Sequence, residues 1–451
     1  MKLLCPAARR GSVLILVLWI SFGLVALSLY FANSMSFEIR AADNRAAALG
    51  AEQAIEGAAR YVSYVLATHA TNGAVPRASE YGAQAMPVGE ASFWLLGRGD
   101  DADTLAYPVF ALVDEASKLN LNASNVTAEI LQGLPGMTAE LAGAIIDWRD
   151  ADSNPGTNGA EDEIYGRLQP PRRCKNGRFE SVEELRLVHG ATLDVLFGED
   201  VNRNGLLDPN ENDGDLSPPA DNRDGRLDAG ILDYVTVYSR QPNTRSGGAT
   251  NRINVANLSS QQTRTQLQAL LNERFGNDRA NQILQRAGNG PFNSVLQFYV
   301  RSRMTPDEFA QIQTDITTSS GAFIEGLVNV NTASEAVLAC IPGIGANFAP
   351  SLVAYRQANP DQLNSLAWVA EVLDENAINQ AGRHLTGEAW QFTADVAALG
   401  PHARGFRRVR FVFDTSEGAP KILYRQDQTA LGWALGLQLR QDIQLAKEFA
   451  R

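Results

Sequence analysis

SVLILVLWISFGLVALSLYFANSMSF (Ser12–Phe37) contains no charged residue, and its reading decides the rest of the chain. About 20 consecutive apolar residues carry a helix across the hydrocarbon core of a bilayer. A short basic segment precedes it, Met1–Gly11, with Lys2, Arg9 and Arg10. A secretory signal peptide begins in the same way. Two features set this stretch apart: the apolar run outlasts the usual signal core, and no small-x-small pattern closes it. The apolar spacing also continues beyond it, through Ile39, Ala42, Ala46 and Leu49, then Ala54, Ala58, Val62 and Val65. No proline interrupts Ser12–Thr68. The pattern predicts one helix of roughly 85 Å at 1.5 Å per residue, half in the membrane and half outside it. The positive-inside rule keeps the basic leader in the cytoplasm.

At 451 residues the chain can form two or three domains with their own cores. Its formal net charge of −12 argues against nucleic acid as a main partner, because phosphate binding needs clustered Lys and Arg. The same balance suits calcium. Of the three cysteines, Cys5 lies in the leader. Cys174 and Cys340 could pair in an oxidising compartment or stand as two buried thiols. His69, His189, His384 and His402 are isolated from one another in sequence. There is no H-E-x-x-H, G-x-S-x-G or phosphate-binding glycine loop, so the chain is not read as an enzyme.

Beyond the helix, Ala91–Leu96 and Ala106–Val113 alternate as strands around the polar turn Gly97–Asp103. Near the other end Trp390–Ala397, Phe406–Phe413 and Lys421–Arg425 also alternate, the last two as a hairpin across Thr415–Ala419. These distant strands share one antiparallel sheet only if the intervening chain is an insertion. That insertion, 117–386, carries an internal repeat. It opens as KLNLN (118–122), RINVA (252–256) and LVNVN (327–331). In the first and third copies LPGMTAELAGAIIDWR (134–149) aligns with IPGIGANFAPSLVAYR (341–356) as helix–turn–helix, ending on the same Arg. In the middle copy Gln261–Leu271 and Asp278–Arg286 supply two helices without the Pro-Gly turn. Each copy then reaches a helix start: FESVEEL from Phe179, FNSVLQF from Phe292, LNSLAWV from Leu363. Ser181 with Glu184, and Ser294 with Gln297, have capping-box spacing. The alternate asparagines are expected to bind backbone where extended chain turns to helix.

DVNRNGLLDPNE (200–211) meets the calcium-loop pattern D-x-[DN]-x-[DN]-G-x₅-E at every fixed position. Asp200, Asn202 and Asn204 supply side-chain oxygens, and Leu206 its carbonyl. Asp208 acts through water, and Glu211 binds bidentately. A helix over Ala191–Phe197 leads in, while Pro218 and Pro219 oppose a full exiting helix. A weaker copy, ADNRDGRLDAGI (220–231), offers Asn222, Asp224 and Asp228 but lacks first and last ligands at Ala220 and Ile231. Either Asp213 or Asp215 completes it, or it is charged loop. PGIG (342–345) resembles the hairpin of helix–hairpin–helix DNA-binding modules, but Ala346, Asn347 and Phe348 follow where such sites carry Lys or Arg.

The basic leader ending in glycine before an apolar helix resembles the class III signal of type IV pilins and pseudopilins. DEASKLNLN (114–122), IIDWRDAD (145–152), GAEDEIY (159–165), FESVEELRLV (179–188) and VNVNTASEAVLACIPGI (328–344) resemble the large minor pseudopilin of type II secretion systems, the protein K family, in the expected order. Pilins usually carry glutamate at the fifth mature position. Leu16 stands there, as in the K-type member.

The resemblance implies peptidase cleavage between Gly11 and Ser12, with Ser12 as a candidate for N-methylation. It implies an α+β fold: a long transmembrane spine helix and a small antiparallel pilin-like sheet, interrupted by a mostly α-helical inserted domain with helix–hairpin–helix-like repeats. The expected divisions are leader 1–11, membrane part of the spine 12–36, pilin-like part 37–116, insertion 117–386 with an acidic loop at about 194–251, and pilin-like strands 387–451. It also implies calcium in the helical domain, near Asp147–Asp152 and Glu161–Glu163. The implied role is a tip subunit in the inner membrane with its C-terminal domain in the periplasm. Its implied partners are other minor pseudopilins, the major pseudopilin, the inner-membrane secretion platform, secreted proteins and the outer-membrane channel. The rivals are a membrane-anchored helix–hairpin–helix DNA-binding protein and a calcium-binding periplasmic scaffold.

Overall fold

The computed structural model describes residues 12–99, 108–245 and 250–449. The apolar run and its continuation form one helix, Ser12–His69. Among the described residues it is the one helix long and apolar enough to cross a membrane. Its apolar side chains from Val13 to Phe31 are exposed, as a lipid-facing segment requires. From Ala47 onward one face is buried, through Ala51, Ala54, Ile55, Ala58, Val62, Val65 and Leu66.

That face packs on a sheet ordered Met86–Val88, Ala91–Leu96, Gln391–Gly400, Arg404–Asp414, Lys421–Asp427, with Val113–Asp114 beside Gln391–Gly400. All of its pairings are antiparallel. Because side chains alternate along a strand, Phe392, Ala394, Val396 and Ala398 meet the spine together with Phe93, Leu95, Phe411 and Phe413. Ala397 and Leu399 point the other way, into a second layer with Trp94, Leu96, Ala434 and Leu435. Spine and sheet approach closely at Gly400, where an added Cβ would lie 1.9 Å from the Ala47 carbonyl oxygen. The C-terminal helix Gly436–Phe449 follows the second layer.

The expected strand at Ala106–Val113 shrinks to a single bridge, Phe110 to Leu96, before Val113–Asp114; Ala106 and Tyr107 lie outside the described residues. Its place beside Ala91–Leu96 is taken by Asp395–Leu399, which pairs with Ser92–Leu96. Chain from the far end of the sequence thus outcompetes the local hairpin.

The chain leaves the sheet at Asp114 and returns at Gln391, and the repeat in between is realised as three similar units. Each opens with a two-residue strand and closes on a parallel one: Leu119–Asn120 with Val235–Thr236, Ile253–Asn254 with Ile316–Thr317, Val328–Asn329 with Leu385–Thr386. The first asparagine of each opening makes the same turn, accepting from the backbone N–H of Asn122, Ala256 or Asn331. Two residues on, Asn122 exchanges two hydrogen bonds with the Phe179 backbone, and Asn331 donates to the Leu363 carbonyl. In the middle unit the Ala256 carbonyl accepts from Phe292 N–H instead. The aligned arginines also share a task. Arg149 donates to the carbonyls of Leu121 and Val126, and Arg356 to those of Val330 and Ala333.

The junction with the sheet is polar. Asp114 accepts from Asn329 and Thr332, while Glu115 accepts from Thr236, Thr393 and Lys118. DEASKLNLN is therefore a fastening between the sheet and the first and third units.

Candidate metal centres

A short helix capped by Thr192, Leu193–Phe197, leads to the first acidic loop. No full helix leaves it; one tight turn, Pro209–Glu211, follows. Arg203 and Gly205 take positive φ of 57° and 72°, which lets the chain wrap into a closed turn. Asp200 accepts from the N–H groups of Asn204 and Gly205, each at 2.9 Å. The side-chain amides of Asn202 and Asn204 donate to Asp208 at 2.7 and 2.9 Å, and Glu211 accepts from Asp208 N–H at 2.9 Å. Asp200, Asn204, Leu206 and Glu211 are all buried. Burial pushes the Glu211 carboxyl up to about 8, with Asp200 and Asp208 adding to the effect. Burial also raises Asp200, against the opposing charge of Arg98. Two buried carboxyls in an oxygen-lined turn suit a hard cation, which would remove the cost of ionising them.

The second loop copies the backbone of the first. Arg223 and Gly225 repeat the positive φ values at 56° and 76°, and Asn222 donates to Asp228 as Asn202 does to Asp208. Asp213 accepts from the backbone and side chain of Ser217, and Asp215 is exposed. Glu199 occupies the place of the absent last carboxylate, accepting from Asp228 and Asn222 N–H. Asn212 accepts from Gly225 N–H where Asp200 accepts from Gly205. Asn222, Asp224 and Asp228 are nevertheless exposed, whereas their counterparts Asn202 and Asp208 are half-buried and Asn204 is buried.

A third acidic group combines Asp150, Asp152 and Glu161, each of which brings one carboxylate oxygen within 4.8 Å of the others. Asp150 follows the helix Ala139–Arg149 as its C-cap, and Glu161 precedes the turn Asp162–Tyr165. Both Glu161 oxygens, Asp150 Oδ1 and Asn176 Oδ1 are buried without a hydrogen-bond partner. Burial raises the Glu161 and Asp150 carboxyls, with neighbouring carboxylates reinforcing the shift. Unpaired buried oxygens are costly, and this group could hold a metal ion. Gly159 leaves room for its wall, since a Cβ there would sit 1.9 Å from Asp147 Oδ2. Of this set, Asp150, Asp152 and Glu161 fall within the acidic stretches singled out in the sequence. Asn176 does not, and its only local signal is the turn dipeptide Asn176-Gly177.

The Pro342–Gly345 hairpin is used inside the fold. Gly343 has φ 87°, and a Cβ there would meet the Ala377 carbonyl at 2.7 Å, so the turn packs against the helix Glu375–Ala381. Cys174 and Cys340 are both free and buried, so the pairing considered above does not form. Gly11 lies outside the described residues, and Ser12 opens the spine helix.

A family model described as type II secretion system protein K matches residues 109–196, and a helix-hairpin-helix motif model matches 325–385. The chain is 43 % identical over 56 residues to the type II secretion system protein K of Pectobacterium carotovorum subsp. carotovorum, covering 12 % of this chain and 17 % of that relative. It is 48 % identical over 61 residues to the protein of the same name from Pseudomonas aeruginosa, covering 13 % and 16 %. The matched stretches thus span about a sixth of the length of these curated relatives. A solved GspK-GspI-GspJ complex from the type 2 secretion system of enterotoxigenic Escherichia coli aligns at a TM-score of 0.41 and 12 % identity, over 83 % of this chain and 96 % of that one. The protein K match falls on the stretch that fastens insert to sheet and carries the acidic triad. Over residues 109–196 the chain is similar to the protein K family of the type II secretion system, and the two curated relatives carry the same name.

Proposed function

We propose that the chain is the minor pseudopilin at the tip of the type II secretion pseudopilus, where it supports protein export by initiating and capping assembly. It is a single-pass inner-membrane subunit with its C-terminal region in the periplasm, and an assembly component, not a catalyst. The observation that carries this reading is a spine helix with Leu16, crowned by a large insert between Asp114 and Gln391. A carboxylate at position 16 would need a cationic neighbour above it, because an unpaired one in the bilayer costs roughly 2.5–3.5 kcal/mol. Leucine needs none. The insert adds bulk that a tightly wound shaft would have to accommodate at every repeat.

The other minor pseudopilins and the major pseudopilin are then its neighbours along the spine. The inner-membrane platform supplies it, and secreted proteins and the outer-membrane channel lie on the side of the insert. Calcium is the cation we assign to the loop 200–211 and to the Asp150, Asp152, Glu161 group, because both donor sets are all oxygen. The second loop, Asn222, Asp224 and Asp228, is the weaker candidate. A membrane-anchored DNA-binding protein is the second reading, favoured by the helix-hairpin-helix match over 325–385; a salt-sensitive DNA mobility shift would support it.

Maturation offers the test. Intact mass of the membrane-extracted protein, coexpressed with a prepilin peptidase, is expected to show loss of Met1–Gly11, with or without a methyl group on Ser12. A mature start beyond Phe31, as conventional signal processing would give, would overturn the reading.

A further inference from the structure

The first acidic loop is gripped from outside by the sheet. Arg408, on the strand Arg404–Asp414, is 0 % exposed and forms a two-point ion pair with Asp395 at 2.8 Å. The same guanidinium donates to the carbonyls of Asn202 and Arg203, in the middle of the loop. Arg98, just after the strand Ala91–Leu96, donates to the Arg203 carbonyl at 2.9 Å and to Asp233 at 3.3 Å. Arg203 itself turns away and pairs with Glu183 at 2.7 Å. Arg410 completes the frame by binding Asp395 at 2.8 Å. Next to this joint Leu206 is buried, its Cδ1 3.0 Å from where a Cβ on Gly436 would stand. The loop thus touches three parts of the sheet layer: one strand end, one central strand and the start of the C-terminal helix.

We propose that this joint couples cation binding in the loop to the seating of the insert on the sheet. The inference rests on the reading of 200–211 as a cation loop. The carbonyls held by Arg408 belong to the turn whose side chains, Asn202 and Asn204, face Asp208 inside the loop. A cation pulling oxygens inward and a guanidinium holding carbonyls outward fix opposite sides of one turn. Each therefore stabilises the arrangement the other needs, and such linkage is reciprocal. Without the cation the inward side of the turn is held by hydrogen bonds alone, which loosens the Arg408 contacts and releases Leu206.

The test combines calcium calorimetry with hydrogen exchange on the full mature chain in detergent. Calcium is expected to slow exchange in 404–410 and 433–440 as well as in 200–211. Arg98→Gln, at a side chain 26 % exposed, is expected to weaken calcium binding about 5- to 10-fold and to abolish the remote protection. Arg408→Gln is expected to do more; if it fails to fold, the Arg98 variant alone decides. If Glu211→Gln leaves calcium binding unchanged, the cation reading of the loop fails. If Glu211→Gln weakens binding while protection stays within 200–211 and Arg98→Gln binds like wild type, the coupling is overturned and the cation reading stands.

Discussion

The two halves of this molecule differ in how their elements are fastened around their apolar cores. Where the spine meets its sheet, small residues on the helix (Ala51, Ala54, Ala58) face aromatic ones on the strands (Phe93, Phe392, Phe411, Phe413). In the insert the recurring fixture is polar: Asn120, Asn254 and Asn329 each close the same turn, and Arg149 and Arg356 each tie down two carbonyls. An alanine stripe lets backbones approach and leaves the other helix faces free to meet neighbouring spines. In the insert, side chain–backbone fastenings pin short strands and helices around a large apolar core that includes Leu121, Leu141, Ile145, Leu271, Phe298 and Leu352.

The contrast can be broken by removing one member of each set. Phe411→Ala empties a fully buried site between the spine and the sheet and is expected to cost about 3–5 kcal/mol. Hydrogen exchange after that change is expected to rise in the buried part of Ser12–His69 and in the strands it faces, while the insert keeps its protection. Asn122→Ala is expected to cost less, about 1–3 kcal/mol, by leaving the Phe179 N–H and carbonyl without their partner. Its effect should stay within the first unit. Equal loss of protection in both halves from either change would show that they unfold as one body.

A smaller effect concerns pH. His384 is buried, and burial together with Arg383 lowers its pKa to about 4. The unfolded chain takes up that proton more readily, near pH 6.5, so the contribution is complete above 6.5 and is lost as pH falls towards 4. Asp114, pushed up to about 6 by burial, acts in the opposite sense over the lower part of this window. The difference between wild type and His384→Gln isolates the histidine. Wild type is expected to lose about 1 kcal/mol more than the variant between pH 6.5 and 5, measured by urea unfolding. Parallel curves would place His384 in a solvent-like setting.

Much of this architecture was legible from residues alone because it is periodic. The helix through His69, the strands after Trp390 and the threefold opening around KLNLN all repeat at a spacing set by secondary structure. The closing strands Val235–Thr236, Ile316–Thr317 and Leu385–Thr386 were not legible, since two residues show no period. The Ala106–Val113 expectation failed for a related reason: its local alternation was right for a strand, but a partner from the far end of the chain took the edge. At the acidic loops, the spacing marked Asp200 through Glu211 as one turn, and the chain closes there. The spacing could not show Glu199 and Asn212 serving the second loop, because they reach it only when the chain doubles back on itself. Arg408 and Asp395 gave no signal either, being ordinary charges on alternating strands until the loop is laid across them.

Crosslinking between spine helices in assembled pseudopili tests the proposed tip position most directly. Single cysteines placed on the exposed face of the spine, for example at Leu49 and Tyr64, are expected to capture neighbouring subunits only on the side facing the membrane. Crosslinks to major-pseudopilin subunits on both sides at comparable yield would place the chain within the shaft and contradict the inference from Leu16.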